Sequence, residues 1–150
     1  MPYNDLRKGR YNESGRAYFV TTVLAKREAV YFHDFHCARL TITEVRTLHE
    51  SGAINSLAWV VMPDHVHWLF QLGQSLTLSE VMKTYKARTA HRINNYLNRR
   101  GALWQKTFYD HAVREEEDIR GIARYIVANP LRAGLVKNIG EYPHWDAVWL

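Results

Sequence analysis

The sequence has little cysteine and no long apolar run. Cys37 is the single cysteine among 150 residues, which excludes an internal disulfide and a cysteine-only zinc cluster. No apolar run approaches the roughly 20 residues that span a bilayer, which excludes a transmembrane helix. The chain also shows no signal-peptide pattern. We therefore expect a cytoplasmic protein without a membrane partner.

Acidic residues are fewer than basic ones. The sequence has 20 Lys and Arg against 15 Asp and Glu, which gives a net charge of +5 and a pI near 9.4. This balance favours polyanionic partners such as nucleic acid. Hydrophobic residues make up 47% of the chain, an ordinary globular composition, and the length suits one domain over residues 1–150.

Both ends of the chain differ from its middle. Residues 1–16 form a polar segment whose basic residues are Arg7, Lys8, Arg10 and Arg16. Such a basic arm is either a frayed terminus or a strap that binds nucleic acid, and the residue pattern leaves both open. Residues 137–150 form a tail with several aromatic residues.

Hydrophobic periodicity between these ends predicts alternating strands and helices. Strands are expected at residues 17–24, 54–62, 65–72 and 108–114, and helices at residues 34–50, 76–100 and 115–129. The turn at Pro63-Asp64 is short enough to join the second and third strands as a hairpin. The order β-α-β-β-α-β-α predicts an α+β, ferredoxin-like fold, with an antiparallel sheet and helices packed mainly on one face.

The long second helix has a basic polar side. Its basic residues are Lys83, Lys86, Arg88 and Arg92, and the only acid between residues 76 and 100 is Glu80. A solvated helix face would more often mix the two signs of charge. These four residues are therefore candidates for contacts with the phosphates of a nucleic acid.

Two histidines share one face of the third predicted strand. His65 and His67 flank Val66, and residues two apart on a strand point the same way. Both imidazoles can then bind one divalent ion. The alternative is that they are polar surface.

Tyr125 and Asn129 are four residues apart near the end of the third predicted helix, so they share one helical face. An amide oxygen is an acceptable ligand for Mg²⁺ or Mn²⁺. A tyrosine hydroxyl beside such an ion could act as a covalent nucleophile. The alternative is a core tyrosine followed by an asparagine helix cap.

These elements together resemble a known family. His65-Val66-His67, preceded by Val61-Met62-Pro63-Asp64, resembles the HUH motif of single-tyrosine transposases. The segment YIVANPLRAGLV, residues 125–136, is similar to the tyrosine motif of the REP-associated tyrosine transposases, which act on repetitive extragenic palindromes. Leu103-Trp104-Gln105 and Asp110-His111 are also similar to that branch, and the resemblance covers residues 10–136.

The resemblance implies a site and a reaction. His65 and His67 would bind Mg²⁺ or Mn²⁺ with Asn129 as the third ligand. Tyr125 would attack a DNA phosphate, form a 5′-phosphotyrosine link and allow the strand to be rejoined. The substrate would be single-stranded DNA folded into a hairpin. The protein would act at the nucleoid, as a monomer or a homodimer.

Two other classes of protein compete with this enzyme. A non-catalytic module that binds structured single strands on the same fold stays open as the alternative. A hydrolytic metal phosphoesterase would need a water-activating base or a second metal ion, and the sequence offers neither.

Overall fold

The structure is a computed structural model and describes residues 15–114 and 118–149. Its strands form one five-stranded antiparallel sheet in the order β4-β1-β3-β2-β5. The strands are β1 (Ala17–Val23), β2 (Ile54–Val61), β3 (His65–Leu72), β4 (Tyr109–Ala112) and β5 (Trp145–Ala147). The helices are α1 (Phe35–Glu50), α2 (Leu78–Leu97), α3 (Ile119–Val127) and the one-turn α4 (Asn129–Arg132). The predicted α+β fold and its order of elements are confirmed.

Strands β2 and β3 form the predicted hairpin. Val61 pairs with Val66, and the N–H of Met62 donates to the carbonyl of His65 at 2.8 Å. β3 also pairs with β1 along its whole length, so it lies in the centre of the sheet. A central strand is held by neighbours on both sides, and its side chains are therefore rigidly placed.

The two faces of the sheet carry different helices. Helices α1 and α2 pack on one face, where β3 contributes Val66, Trp68 and Phe70 to the larger core cluster. Helix α3 packs on the opposite face, in a smaller cluster that includes Leu69 of β3 and Ile126. Side chains alternate along a strand, so His65 and His67 point to the same face as Leu69, the face that α3 covers.

Both long helices have clear start signals. The Asp34 side chain accepts hydrogen bonds from the backbone N–H groups of His36 and Cys37 at the start of α1. Thr77 and Glu80 form a capping box at the start of α2. Helix α2 ends earlier than the predicted residue 100, because Asn98 adopts a left-handed conformation with φ of 52°.

The aromatic tail contains a strand that the sequence analysis did not predict. Trp145 of β5 pairs with Val60 of β2 at the edge of the sheet. The Tyr142 hydroxyl donates to the Val61 carbonyl at 2.5 Å and ties the tail to the same strand. Three residues are too few to show strand periodicity in a sequence. This segment is a strand because it pairs with β2.

Some predicted features lie outside the described residues. They are the basic arm up to residue 14, with Arg7, Lys8 and Arg10, and the acidic residues 115–117. Helix α3 begins at Ile119, after Asp118. Over the ranges 15–114 and 118–149, none of the helices has the length and apolar character needed to cross a membrane.

Candidate active site

The two histidines of β3 lie side by side under helix α3. The ring centroids of His65 and His67 are 4.7 Å apart, with the rings inclined at 74°. Both side chains are half-buried. The structure therefore brings the two imidazoles together on one face, as their spacing predicts.

Each histidine is held through its Nδ1 atom. The Thr21 hydroxyl lies 2.7 Å from Nδ1 of His67, and an Asp64 carboxylate oxygen lies 2.7 Å from Nδ1 of His65. Arg27 donates to the other oxygen of Asp64, also at 2.7 Å. Neither Nε2 atom has a hydrogen-bond partner among the residues that the structure describes. A hydrogen bond at Nδ1 that orients the ring and leaves Nε2 free is the usual arrangement of a metal-binding histidine.

The protonation states suit metal binding. Burial lowers the pKa of His67 from 6.5 to about 4, and the charges of His65 and Arg132 act in the same direction. Its imidazole is therefore neutral near neutral pH, the form that binds metals. Burial alone would raise the pKa of Asp64, but hydrogen bonds from His65 and Arg27 and their charges lower it. Asp64 is therefore an ionised acceptor for His65.

Tyr125 faces these histidines from the last turn of α3. Its ring centroid lies 6.5 Å from that of His67 and 6.4 Å from that of Phe19. The side chain is 52% exposed, so it is accessible to a large substrate. The guanidinium carbon of Arg132 lies 3.9 Å from the ring centroid, and its Nη2 donates to the Tyr125 carbonyl at 2.6 Å.

Asn129 lies one helical turn after Tyr125 and begins α4. Its side chain is half-buried, and its amide makes no hydrogen bond with any residue in the described part of the chain. The side-chain amide is therefore available to bind a ligand. Its place as a third metal ligand stays a prediction.

The donor set fits a divalent ion that takes several ligands from outside the protein. The described residues contain no group of three or more His, Cys, Asp and Glu side chains able to bind a metal. Two imidazole nitrogens, with the amide oxygen of Asn129 as the predicted third ligand, leave positions for water and phosphate oxygens. Mn²⁺ accepts both nitrogen and oxygen ligands, and Mg²⁺ commonly keeps several waters and substrate phosphates.

The basic residues of α2 lie on the other face of the sheet, where most of them have partners inside the protein. Nε of Arg88 donates to both carboxylate oxygens of Glu44 at 3.0 Å, and Nε of Arg92 lies 3.3 Å from one of them. Glu44 is a buried residue of α1. Lys86 donates to the backbone carbonyls of Gln105 and Lys106 at 2.7 and 3.2 Å.

Two further basic residues from the predicted DNA-binding set are described. Lys83 is exposed and makes no hydrogen bond or ion pair with a described residue. Arg16 donates through Nη1 to the Val113 carbonyl at 2.9 Å. The exposed Lys83 side chain is therefore accessible to a phosphate. Arg16, in contrast, makes a contact within the fold. That these residues bind DNA stays a prediction.

Sequence reasoning missed four residues that make contacts around the histidines and Tyr125. They are Thr21, Arg27, Asp64 and Arg132. Asp64 adjoins His65, so the Asp-His pair itself was a usable signal. Thr21 reaches His67 only through the pairing of β1 with β3, which no local pattern indicates.

Comparisons with known proteins agree with this geometry. The family described as "Transposase IS200 like" matches residues 15–129. A REP-associated tyrosine transposase of Escherichia coli K12 is 27% identical over 135 residues, which cover 89% of this chain and 76% of the relative. A Haemophilus influenzae relative is 26% identical over 144 residues, which cover 87% of this chain and 78% of that protein.

The fold has a close counterpart among solved structures. A REP-associated tyrosine transposase bound to a REP hairpin superposes with a TM-score of 0.73 and 25% identity, covering 90% of this chain and 78% of the other. The resemblance to REP-associated tyrosine transposases that the two motifs indicated is therefore confirmed. Because the family match spans most of the sequence, from β1 to the start of α4, this chain belongs to the IS200-like transposase family.

Proposed function

We propose that this transposase cuts and rejoins single-stranded DNA at hairpin-forming palindromic repeats, with Tyr125 as the nucleophile. The observation that carries the proposal is the closeness of the Tyr125 and His67 rings, at 6.5 Å, between a helix and a strand far apart in sequence. The half-exposed tyrosine supports it, because a folded DNA strand can reach the hydroxyl only from solvent.

The covalent step uses atoms of the protein and the DNA alone. The Tyr125 oxygen forms a bond to the phosphorus while the bond from phosphorus to the 3′-oxygen breaks. The tyrosine loses its proton to solvent, and the 3′-oxygen leaves as a hydroxyl after taking one up. The product is a phosphodiester on Tyr125, so attack by a 3′-hydroxyl reverses the step and rejoins a strand.

Mg²⁺ or Mn²⁺ is the expected cofactor, with His65, His67 and Asn129 as its protein ligands. A bound ion would polarise the scissile phosphate and help to orient it. The protein's own contribution is to orient the two imidazoles through Thr21 and Asp64 and to keep that of His67 neutral by burial.

The proposed substrate follows from charge and from the relatives. The solved relative was bound to a REP hairpin. The net charge of +5 favours a polyanion of this kind. Within the proposal, phosphates contact the arm residues Arg7, Lys8, Arg10 and Arg16, and the α2 residues Lys83, Lys86, Arg88 and Arg92. Such an enzyme would act in the cytoplasm at the nucleoid, as a monomer or a homodimer.

A strand-transfer assay tests this function. A labelled hairpin oligonucleotide is incubated with Mg²⁺ or Mn²⁺ and a second, differently labelled strand that ends in a 3′-hydroxyl. The proposal predicts cleavage and a recombinant strand for the wild type, and neither for Tyr125→Phe. His65→Ala and His67→Ala are expected to abolish cleavage while much of the hairpin affinity remains. Hairpin binding without cleavage by the wild type would instead support a non-catalytic binding module.

A further inference from the structure

Arg132 holds Tyr125 in two ways. Its guanidinium carbon lies 3.9 Å from the centroid of the tyrosine ring, which is stacking distance. Its Nη2 donates to the carbonyl of the same tyrosine at 2.6 Å. One side chain therefore contacts both the ring and the backbone of the proposed nucleophile.

The Tyr125 ring has few other supports. It is 52% exposed, and its described ring neighbours, Phe19 and His67, lie at 6.4 and 6.5 Å in tilted orientations. Exposed side chains change rotamer on the picosecond to nanosecond scale. A rotation about the Cα–Cβ bond would move the ring away from His67, and the Arg132 guanidinium on the ring face opposes such a rotation.

The chain path explains how Arg132 reaches back to Tyr125. Helix α3 ends at Val127, and the chain turns through Ala128 into α4, which holds Pro130 in its first turn. Arg132 is the last residue of α4 and is itself exposed. Its side chain therefore reaches back across this turn and contacts both the ring and the carbonyl of Tyr125.

We propose that Arg132 is a positioning residue, which fixes the Tyr125 ring toward His65 and His67 before DNA binds. The inference rests on the proposed function of Tyr125 as nucleophile. It requires the planar guanidinium, because a lysine ammonium keeps the charge but loses the flat stacking surface and the forked donors. A misplaced reacting group commonly costs about 100-fold in rate.

The kinetic test compares Arg132→Lys and Arg132→Gln with the wild type. The readouts are the single-turnover rate of covalent adduct formation at saturating hairpin and the hairpin Kd. We expect both variants to lose about 100-fold in rate, with Kd within about 3-fold of the wild type. The matched control is Arg124→Lys, on α3 beside Tyr125, whose guanidinium pairs with Asp118 at 3.2 Å. It is expected to keep the wild-type rate.

A second readout needs neither DNA nor metal. Carbon-13 labelled tyrosine gives ring signals for Tyr125, assigned by their loss in Tyr125→Phe. We expect the Tyr125 signals to shift and to show faster ring motion in both Arg132 variants, and to be unchanged in Arg124→Lys.

Three results would overturn the inference. The first is a wild-type rate in Arg132→Lys. The second is unchanged Tyr125 ring signals in the Arg132 variants. The third is a parallel loss of rate, hairpin affinity and melting temperature in these variants, which would indicate a purely structural role. Failure of the proposed function looks different, because the wild type itself would then form no adduct while the ring signals still report on Arg132.

Discussion

The hydroxyl of Thr21 lies 2.7 Å from Nδ1 of His67 on the neighbouring strand. The two residues are direct partners in the register of β1 and β3. The contact fixes the imidazole ring and leaves its Nε2 free for a metal ion. The candidate site thus depends on the register of the sheet as well as on the histidine pair.

Replacing Thr21 is expected to weaken metal binding without unfolding the protein. Thr21→Val keeps the shape and removes the partner of Nδ1, and loss of such a partner commonly costs about 10-fold to 100-fold in metal affinity. Mn²⁺ affinity is measured by titration followed by electron paramagnetic resonance. Thr47→Val on α1, which loses a hydrogen bond to the Thr43 carbonyl, is the control. Equal Mn²⁺ affinity in Thr21→Val and the wild type would contradict the role of Thr21.

His67 is expected to make stability depend on pH in the metal-free protein. Its pKa is about 4 in the folded state and 6.5 ordinarily, so the unfolded chain binds more protons between these values. The free energy of unfolding should therefore fall as the pH is lowered from 6.5 to about 4. Urea unfolding across this range measures it.

The control for this pH dependence is a second histidine. His67→Gln is expected to flatten the decline, since burial and the charges of His65 and Arg132 no longer act on an imidazole at this position. His91→Gln, at an exposed position of α2, should keep the wild-type decline. Parallel curves for the wild type and His67→Gln would show that His67 is not held neutral by the fold.

Glu44 is expected to support stability more than DNA binding. Its buried carboxylate accepts hydrogen bonds from Arg88, so Glu44→Gln removes charge-assisted bonds between α1 and α2. The free energy of unfolding should fall by about 1–3 kcal/mol, measured by urea titration. Lys83→Gln should leave stability unchanged and weaken hairpin binding. A large gain in hairpin affinity for Glu44→Gln at constant stability would instead show that Glu44 withholds these arginines from DNA.

The basic arm is expected to contribute salt-dependent affinity. Replacing Arg7, Lys8 and Arg10 together with Gln should lower hairpin affinity and reduce the salt slope by about one for each phosphate that the arm no longer neutralises. Hairpin binding by fluorescence anisotropy at several salt concentrations measures both. A control that removes the same charge at exposed residues uses Arg46, Arg100 and Lys137. Identical slopes in the two triple variants would mean that the arm acts only through net charge.

The sequence predicted the parts of the fold that local patterns encode. The hairpin of β2 and β3 and the shared face of His65 and His67 follow from period-two alternation and a short turn. Helix α2 follows from its apolar stripe. These features depend on residues that are close together in sequence, and a single sequence contains that information.

The features that sequence reasoning missed depend on contacts between distant segments. The three residues of β5 become a strand only by pairing with β2. The acid that pairs with Arg88 and Arg92 of α2 is Glu44, on another helix, so a charge count along α2 alone could not find it. Arg132 meets Tyr125 through the turn between α3 and α4, whose path the sequence indicates only in outline.

The most direct test of the account is to locate the DNA on the protein. Trypsin releases residues 125–132, a peptide in which Tyr125 is the single tyrosine. After reaction with a hairpin and Mn²⁺, mass spectrometry should find a nucleotide attached to this peptide. Tyr109→Phe, which changes another exposed tyrosine, should retain the attachment, and Tyr125→Phe should lose it. A nucleotide attached elsewhere, or undiminished cleavage by Tyr125→Phe, would contradict the account.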